Sequence, residues 1–110
     1  MLFLLGLSRA CMRGKTQVVD FLLNNTKEVE KMITITDGNK MTAFMKACQW
    51  GRHDIVKLLL KFKACLGCEN IYNGFKLACT HKKKNVICSI LELDTCRSFI
   101  LDKVILIQIG

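Results

Sequence analysis

The 110-residue sequence lacks proline, contains only seven glycines and is 7% aromatic. Because proline and glycine are the residues that most often form turns, their scarcity argues against a loop-rich fold and is compatible with helices. Long apolar runs are also absent: the longest, Met1–Leu5 and Val104–Ile107, are far shorter than the roughly 20 residues of a membrane-spanning helix. We therefore predict no membrane span, and a chain of this length excludes a two-domain enzyme.

Acidic residues are the other shortage. Lys and Arg total 17 against 9 Asp and Glu, a net charge of +8, while 51% apolar and 24% charged residues indicate a globular chain. A basic surface favours acidic partners, either protein or nucleic acid. Since the few aromatic residues are scattered, they provide no stacking platform for single strands, and we expect an acidic protein surface rather than nucleic acid.

The N-terminal residues do not predict a secretory signal. No basic residue precedes the apolar stretch Leu2–Leu7, which is shorter than the apolar region of a signal peptide. The seven cysteines are an odd number, so at least one thiol stays unpaired in a monomer. We therefore expect a reducing, intracellular location, cytoplasmic or nuclear.

An internal repeat is the strongest pattern in the chain. Residues 47–60, ACQWGRHDIVKLLL, have an earlier copy at 10–23, ACMRGKTQVVDFLL, and a weaker later one at 78–91, ACTHKKKNVICSIL. The offsets of 37 and 31 average 34, a spacing typical of repeat arrays. Each copy predicts a short first helix, 41–50 in the middle copy, and a second helix that starts near Asp54. Gly51 lies between them, where a left-handed helix end favours glycine.

The middle copy resembles an ankyrin repeat. The resemblance rests on DGNKMTAFMKAC at 37–48, Gly51 and IVKLLL at 55–60. The family pattern has an Asp, a Gly, a Thr-Pro-Leu-His box, an Ala-Ala pair, a Gly and Ile-Val-x-Leu-Leu-Leu. The resemblance covers about residues 5–93 and implies an all-α solenoid in which each repeat is a hairpin turn followed by two antiparallel helices.

We divide the chain on this basis. Residues 1–35 form a partial first repeat with its connector, 36–68 the second repeat and 69–95 a shortened third repeat. Residues 96–110 form an apolar tail, in which 96–104 fit part of a degraded fourth helix and 104–109 have the uncharged, β-prone profile of an aggregation segment.

Three departures from the family pattern are expected to matter. The box is Thr42-Ala43-Phe44-Met45, so the family's Thr–His hydrogen bonds cannot form as usual. In the third copy, NIYNGF at 70–75 is expected to form the hairpin, and two residues of the family pattern are missing before Leu77. Lys82 replaces glycine at the helix end, at a cost of about 1 kcal/mol in a left-handed conformation. The third repeat is therefore expected to be the loosest.

The resemblance also implies a concave binding face built from hairpin tips and the exposed ends of the first helices. Carried over to this sequence, the face consists of Arg9, Met12, Arg13, Gly38, Asn39, Met41, Lys46, Gln49, Trp50, Ile71, Tyr72, Thr80 and His81. Our hypothesis is that Trp50 is an exposed aromatic anchor and forms a basic, aromatic strip with Tyr72, Arg13 and Lys46. The alternative is a Trp that simply packs at a helix end.

The cysteines offer one candidate metal motif. Cys65 and Cys68 have the spacing of half a zinc site, but no second pair repeats it, so we expect an inert loop pair and no cofactor. Cys11, Cys48 and Cys79 share one repeat position, where the family usually has Ala, and are expected to fill the core.

No enzyme is predicted. The two histidines accompany no phosphate-binding loop, nucleophile elbow or paired-carboxylate motif. We expect a non-catalytic protein–protein interaction module, part of a longer array because both ends are apolar; self-association through those ends is the competing explanation. The alternative function is a nucleic-acid-binding or metal-dependent regulatory domain that uses Lys82–Lys84 or Cys65 and Cys68.

Overall fold

The computed structural model describes residues 2–62 and 66–109, with side chains described for 6–62 and 66–104. These residues form eight helices and no strand, which confirms the all-α prediction. The helices are α1 (Leu2–Arg13), α2 (Thr16–Asn24), α3 (Val29–Thr34), α4 (Ala43–Gln49), α5 (His53–Leu60), α6 (Cys68–Thr80), α7 (Lys84–Leu91) and α8 (Asp94–Ile109). Within the described residues, no helix has both the length and the apolar character needed to cross a bilayer.

The helices stack as three consecutive pairs, α1–α2, α4–α5 and α6–α7. The first helices α1, α4 and α6 pack side by side, and so do the second helices α2, α5 and α7. α8 packs against both α6 and α7 and covers the third pair. The stack measures 43 × 27 × 23 Å, and its core includes the fully buried side chains of Leu7, Phe44, Ile55, Leu59 and Ile90.

A left-handed residue joins the two helices of each pair. Gly14 and Gly51 both have φ +73°, and Lys82, at the same repeat position, has φ +57° as its placement predicts. In each turn the amide of the next residue donates to the carbonyl five residues earlier, at 2.8–2.9 Å. The turn therefore satisfies a carbonyl that the helix end would leave without a partner.

These turns also form contacts between repeats. The Arg52 side chain lies over Gly14, where an added Cβ would be 3.1 Å from the guanidinium carbon, and its Nε donates to the Met12 carbonyl at 3.1 Å. One repeat later, Lys83 lies over Gly51, with its Cδ 2.9 Å from the position of an added Cβ. Each glycine thus reverses the chain and leaves room for a basic side chain of the next repeat.

The expected hairpin at 70–75 is wrong, because these residues lie inside α6. Within α6, a Cβ at Gly74 would lie 2.5 Å from Phe44 Cε2 and 2.8 Å from Cys48 Sγ of α4. The Asn-Gly pair suggests a turn, but its glycine instead provides a helix surface without a side chain. The neighbouring first helix packs closely on that surface.

The cysteine prediction is partly confirmed. Cys11 and Cys48 are fully buried, and burial raises the pKa of the Cys11 thiol to about 12 and that of Cys48 well above its ordinary value. Both thiols therefore stay protonated and act as small apolar groups. Cys79 is exposed, so its assignment to the core is wrong. The contacts between α6 and α8 lie nearer the start of α6, where Glu69 pairs with Lys103 and Tyr72 packs on Phe99.

The C-terminal residues are helical. Residues 96–104, expected to form part of a degraded fourth helix, lie in α8, and the β-prone run at 104–109 continues the same helix. Met1 and Gly110 lie outside the described residues, as do the side chains of 2–5 and 105–109.

We predict that Gly74→Ala destabilises the protein while Gly6→Ala does not. A methyl group at Gly74 overpacks the Phe44 contact, which typically costs about 1–3 kcal/mol, more than the roughly 1 kcal/mol that alanine gains in a helix. An added Cβ at Gly6 meets no atom within 4 Å, so the helix gain remains. Urea unfolding of both variants measures the two signs, and a stabilised Gly74→Ala variant would refute the close approach.

Lys82→Gly is expected to raise the free energy of unfolding by about 1 kcal/mol, because glycine adopts the left-handed conformation without a Cβ clash. Lys82→Ala is the matched control, since it removes the same charge and keeps the backbone cost. Urea midpoints for both variants separate conformation from charge. Equal midpoints for the two variants would show that Lys82 carries no conformational cost.

Candidate protein-interaction surface

The middle repeat presents a hairpin at residues 37–41. The Asp37 amide donates to the Met41 carbonyl at 3.0 Å, and the Asp37 carboxylate accepts from the amides of Asn39 (2.8 Å) and Met41 (3.1 Å). Lys40 adopts a left-handed conformation, with φ +61°. Of the predicted contact residues, Gly38 and Asn39 are exposed at the tip and Met41 is half-buried.

An ion pair ties this hairpin to α4. Lys46 Nζ lies 2.9 Å from Asp37 Oδ2, and both side chains are about one-fifth exposed. The Lys46 hydrogen bond, followed by those from the Met41 and Asn39 amides, lowers the pKa of Asp37 to about 2. Lys46 lies on the predicted face, but its charge is paired within the chain and serves to position the hairpin.

A shallow depression of about 200 Å³ lies beside this ion pair. It is lined by Ser8, Arg9 and Met12 of α1 together with Asp37 and Lys46. The structure therefore brings together three predicted residues, Arg9, Met12 and Lys46, between α1 and the hairpin. Arg9 is exposed and Met12 is half-buried.

The C-terminal ends of the three first helices form an exposed row. Arg13, Trp50 and His81 occupy the same repeat position, and all three are exposed, Trp50 by 50%. The residues just before them in the three repeats are Met12, Gln49 and Thr80. We call these six residues the first-helix row. The exposure expected of Trp50 is confirmed.

Tyr72 and Ile71 do not belong to this surface. They are only 8% and 4% exposed, because helix α6 replaces the expected hairpin and turns them into the core. The Tyr72 ring packs edge-to-face on Phe99 of α8, with centroids 6.2 Å apart, and Lys76 Nζ lies 4.9 Å from the Tyr72 centroid. The predicted strip that joins Trp50 to Tyr72 is therefore wrong.

Asn70 is a structural residue that sequence reasoning missed. The Thr42 hydroxyl accepts from the Met45 amide at 3.2 Å, which caps α4, and donates to Asn70 Oδ1 at 2.7 Å. The Thr that the family box retains thus bonds to the next repeat. No local sequence pattern pairs residues 28 positions apart. The signal in the sequence was a box that keeps the Thr and lacks the family's His, which left the Thr hydroxyl in need of another hydrogen-bond partner.

The basic run and the cysteine pair are not assembled into a site. Lys83 lies against Gly51, whereas Lys82 and Lys84 are exposed around the α6–α7 turn. Cys65 lies outside the described residues, and Cys68 is exposed at the start of α6. Across residues 2–62 and 66–109, no three His, Cys, Asp or Glu side chains are placed to hold a metal ion.

The Asp37–Lys46 pair predicts a specific acid sensitivity. The folded-state pKa of Asp37, about 2, lies below the ordinary Asp pKa of about 3.9. The ionised carboxylate therefore contributes its full stabilisation of the fold at pH values above about 3.9, and this stabilisation is lost as the pH falls towards 2. The difference in urea midpoint between the wild type and Asp37→Asn should therefore be largest above about pH 4 and shrink towards pH 2. A difference that is constant with pH would contradict the ion pair.

Comparison with known proteins agrees with the stack. A family model described as ankyrin repeats (3 copies) matches residues 7–98. Neither the curated proteins nor the solved structures contain a match to the chain. The matched range runs from the middle of α1 through the third helix pair to the start of α8. Ankyrin repeats are generally protein–protein interaction modules. The chain belongs to the ankyrin repeat family.

Proposed function

We propose that this chain is a non-catalytic module that binds a partner protein through the face formed by the first-helix row and the middle hairpin. The observation that carries the proposal is the half-exposed Trp50 in the middle of the row, with Arg13 and His81 at the same position on the adjacent helices. Exposed Trp beside Arg is the composition that most often dominates interface energetics.

The rigidity of the face supports the proposal. α4, which ends at Gln49 and is followed directly by Trp50, is capped by Thr42 and packed between α1 and α6. The hairpin is tied to α4 by Asp37. A surface held in this way loses little conformational entropy when a partner binds.

The charge of the face favours an acidic partner. Arg9 and Arg13 are exposed on α1, and Lys82 is exposed directly after His81, while Lys46 is neutralised by Asp37. The chain carries a net charge of +8. A negatively charged protein surface would therefore be steered towards the row, and the association rate would fall with added salt. Our proposal places the binding in the cytoplasm or nucleus, in keeping with the exposed free thiols of Cys68, Cys79 and Cys88.

Site-specific photo-crosslinking tests the proposed face. A photoreactive phenylalanine analogue placed at Trp50 should capture the partner from cell extract, whereas the same analogue at Phe21 should not. Phe21 is the matched control because it is a 64% exposed aromatic on the second-helix side.

The captured partner then allows a quantitative test by calorimetry. Trp50→Ala should weaken its binding by at least about 2 kcal/mol, roughly 30-fold, as expected for an aromatic anchor. Phe21→Ala should leave the affinity unchanged. Capture only from position 21, or equal affinity for the wild type and Trp50→Ala, would refute the proposed face.

A further inference from the structure

The first helix of the third repeat begins earlier than that of the middle repeat. α6 has 13 residues, Cys68–Thr80, whereas α4 has seven, Ala43–Gln49, and the two helices end at equivalent positions. Because Gly74 aligns with Ala43, residues 68–73 of α6 take the place that residues 37–42 occupy in the middle repeat. The middle hairpin therefore has a helix beside it where a second hairpin was expected.

A groove of about 300 Å³ lies between the middle hairpin and the start of α6. This volume is at the lower end of the range for ligand-binding pockets and suits a short segment of chain. None of the residues that line the groove belongs to the first-helix row. Both walls carry polar side chains, which are Thr36, Lys40 and Thr42 on the hairpin side and Glu69, Asn70 and Asn73 on α6.

One hydrogen bond joins the two walls. The Thr42 hydroxyl donates to Asn70 Oδ1 at 2.7 Å, and Thr42 is only 7% exposed. The bond fixes the start of α6 relative to the hairpin and α4. The groove is therefore formed before a ligand enters it, which lowers the entropy that binding costs.

The α6 wall carries an amide side chain without a partner. Asn73 is half-buried and follows Asn70 by three residues, so the two lie on the same helix face. Within the described residues, the Asn73 side chain makes no hydrogen bond. A side-chain amide has an N–H donor beside a carbonyl acceptor, as a main-chain peptide group does, so Asn73 can bond to a peptide group through both.

The hairpin wall offers main-chain groups. Ile35 is extended, with φ −66° and ψ 141°, and the next residue, Thr36, is exposed. In the part of the chain that the structure describes, neither the amide nor the carbonyl of Thr36 forms a backbone hydrogen bond. An extended segment with an unpaired amide and carbonyl can pair with another extended chain.

The charges in the groove favour an acidic ligand. Lys40 is exposed, and among the described residues no carboxylate pairs with it, whereas Glu69 pairs with Lys103 at 3.0 Å. A single free cation is too few for a chain of phosphates, and the described lining residues include no aromatic ring on which a base could stack. The groove therefore suits a peptide better than a nucleic acid.

We propose that this groove binds an extended peptide segment of a partner protein. The main chain of the peptide bonds to the Thr36 backbone and to the Asn73 amide, and an acidic side chain of the peptide lies beside Lys40. The groove adjoins the hairpin of the proposed partner-binding face but is formed by other residues than Trp50 and the first-helix row. The two proposals can therefore fail separately.

A displayed library of random octapeptides, selected on the full chain, tests the proposal. Selected peptides are synthesised with acetylated and amidated ends, which removes their terminal charges, and their affinity is measured by fluorescence anisotropy. We expect binders that contain Asp or Glu and that lose affinity when the groove is altered. A library that yields no peptide whose binding depends on Asn73 would overturn the proposal.

Asn73→Ala should weaken the binding of a selected peptide at least about fivefold, because two hydrogen bonds to the peptide group are lost. Asn85→Ala is the matched control, since it makes the same change at an exposed position of α7, and it should leave the affinity unchanged. Alanine is a better helix former than asparagine, so both variants should fold, which urea unfolding verifies. Equal affinities for the wild type and Asn73→Ala would overturn the proposal.

Lys40→Gly tests the acidic side chain of the peptide. Lys40 and Lys82 both adopt the left-handed conformation that glycine tolerates, so Lys82→Gly is a control that removes the same charge elsewhere. Lys40→Gly should weaken binding about threefold at low salt and hardly at high salt, and Lys82→Gly should have no effect. Equal losses for the two variants would overturn the placement of the acidic side chain beside Lys40.

N-methylation of the peptide, one amide at a time, separates main-chain from side-chain recognition. Methylation should cost at least about fivefold at the amides that bond to Thr36 and Asn73 and should be tolerated at the peptide ends. Tolerance at every amide would overturn the proposal. Peptide binding that Trp50→Ala abolishes and Asn73→Ala leaves intact would also overturn it, because it would assign the peptide to the first-helix row.

Sedimentation equilibrium addresses a second copy of the chain as the occupant. A monomer at all concentrations supports the proposal, because the groove is then open to a peptide. A dimer that Asn73→Ala dissociates and Asn85→Ala does not would make a second copy the occupant and would overturn the proposal.

Discussion

The close approach of neighbouring first helices is the contact on which the rest of the structure depends. α4 lies between α1 and α6, and its fully buried Phe44 packs directly on Gly74, where any side chain would clash. A helix pair of this kind cannot bury its apolar surface alone, so each pair is stable only against its neighbours. The same close packing aligns the ends of the first helices, which brings Arg13, Trp50 and His81 into one row.

The parts of the fold that follow from the repeat were predictable from the sequence. Glycine between the helices of a pair, and Lys82 in the same left-handed conformation, follow from the alignment of the copies with one another. The exposure of Trp50 follows in the same way, because it lies at the C-terminal end of a first helix. These features depend on the local backbone conformation and on a neighbouring repeat of the same kind.

The errors arise where tertiary packing overrides a local signal. Asn73-Gly74 is a turn signal on its own, but the contact with Phe44 requires a residue without a Cβ inside a helix. Tyr72 then turns inward against Phe99 of α8, a contact between elements that the repeat pattern does not describe. Lys46 was assigned to the basic binding strip, but its charge is paired with Asp37, and that pairing depends on how the hairpin folds back on α4.

Coverage of each pair by its neighbours is the central claim, and native-state hydrogen exchange of the full chain tests it most directly. At a concentration where the chain is monomeric, the amides of α5, which is covered on both sides, should exchange only through global unfolding. The amides of α2, which leaves Val18 and Phe21 exposed, should exchange at least about tenfold faster through local opening. Exchange in α2 as slow as in α5 would contradict the account, because it would show that the first pair is stable without a neighbour on its open side.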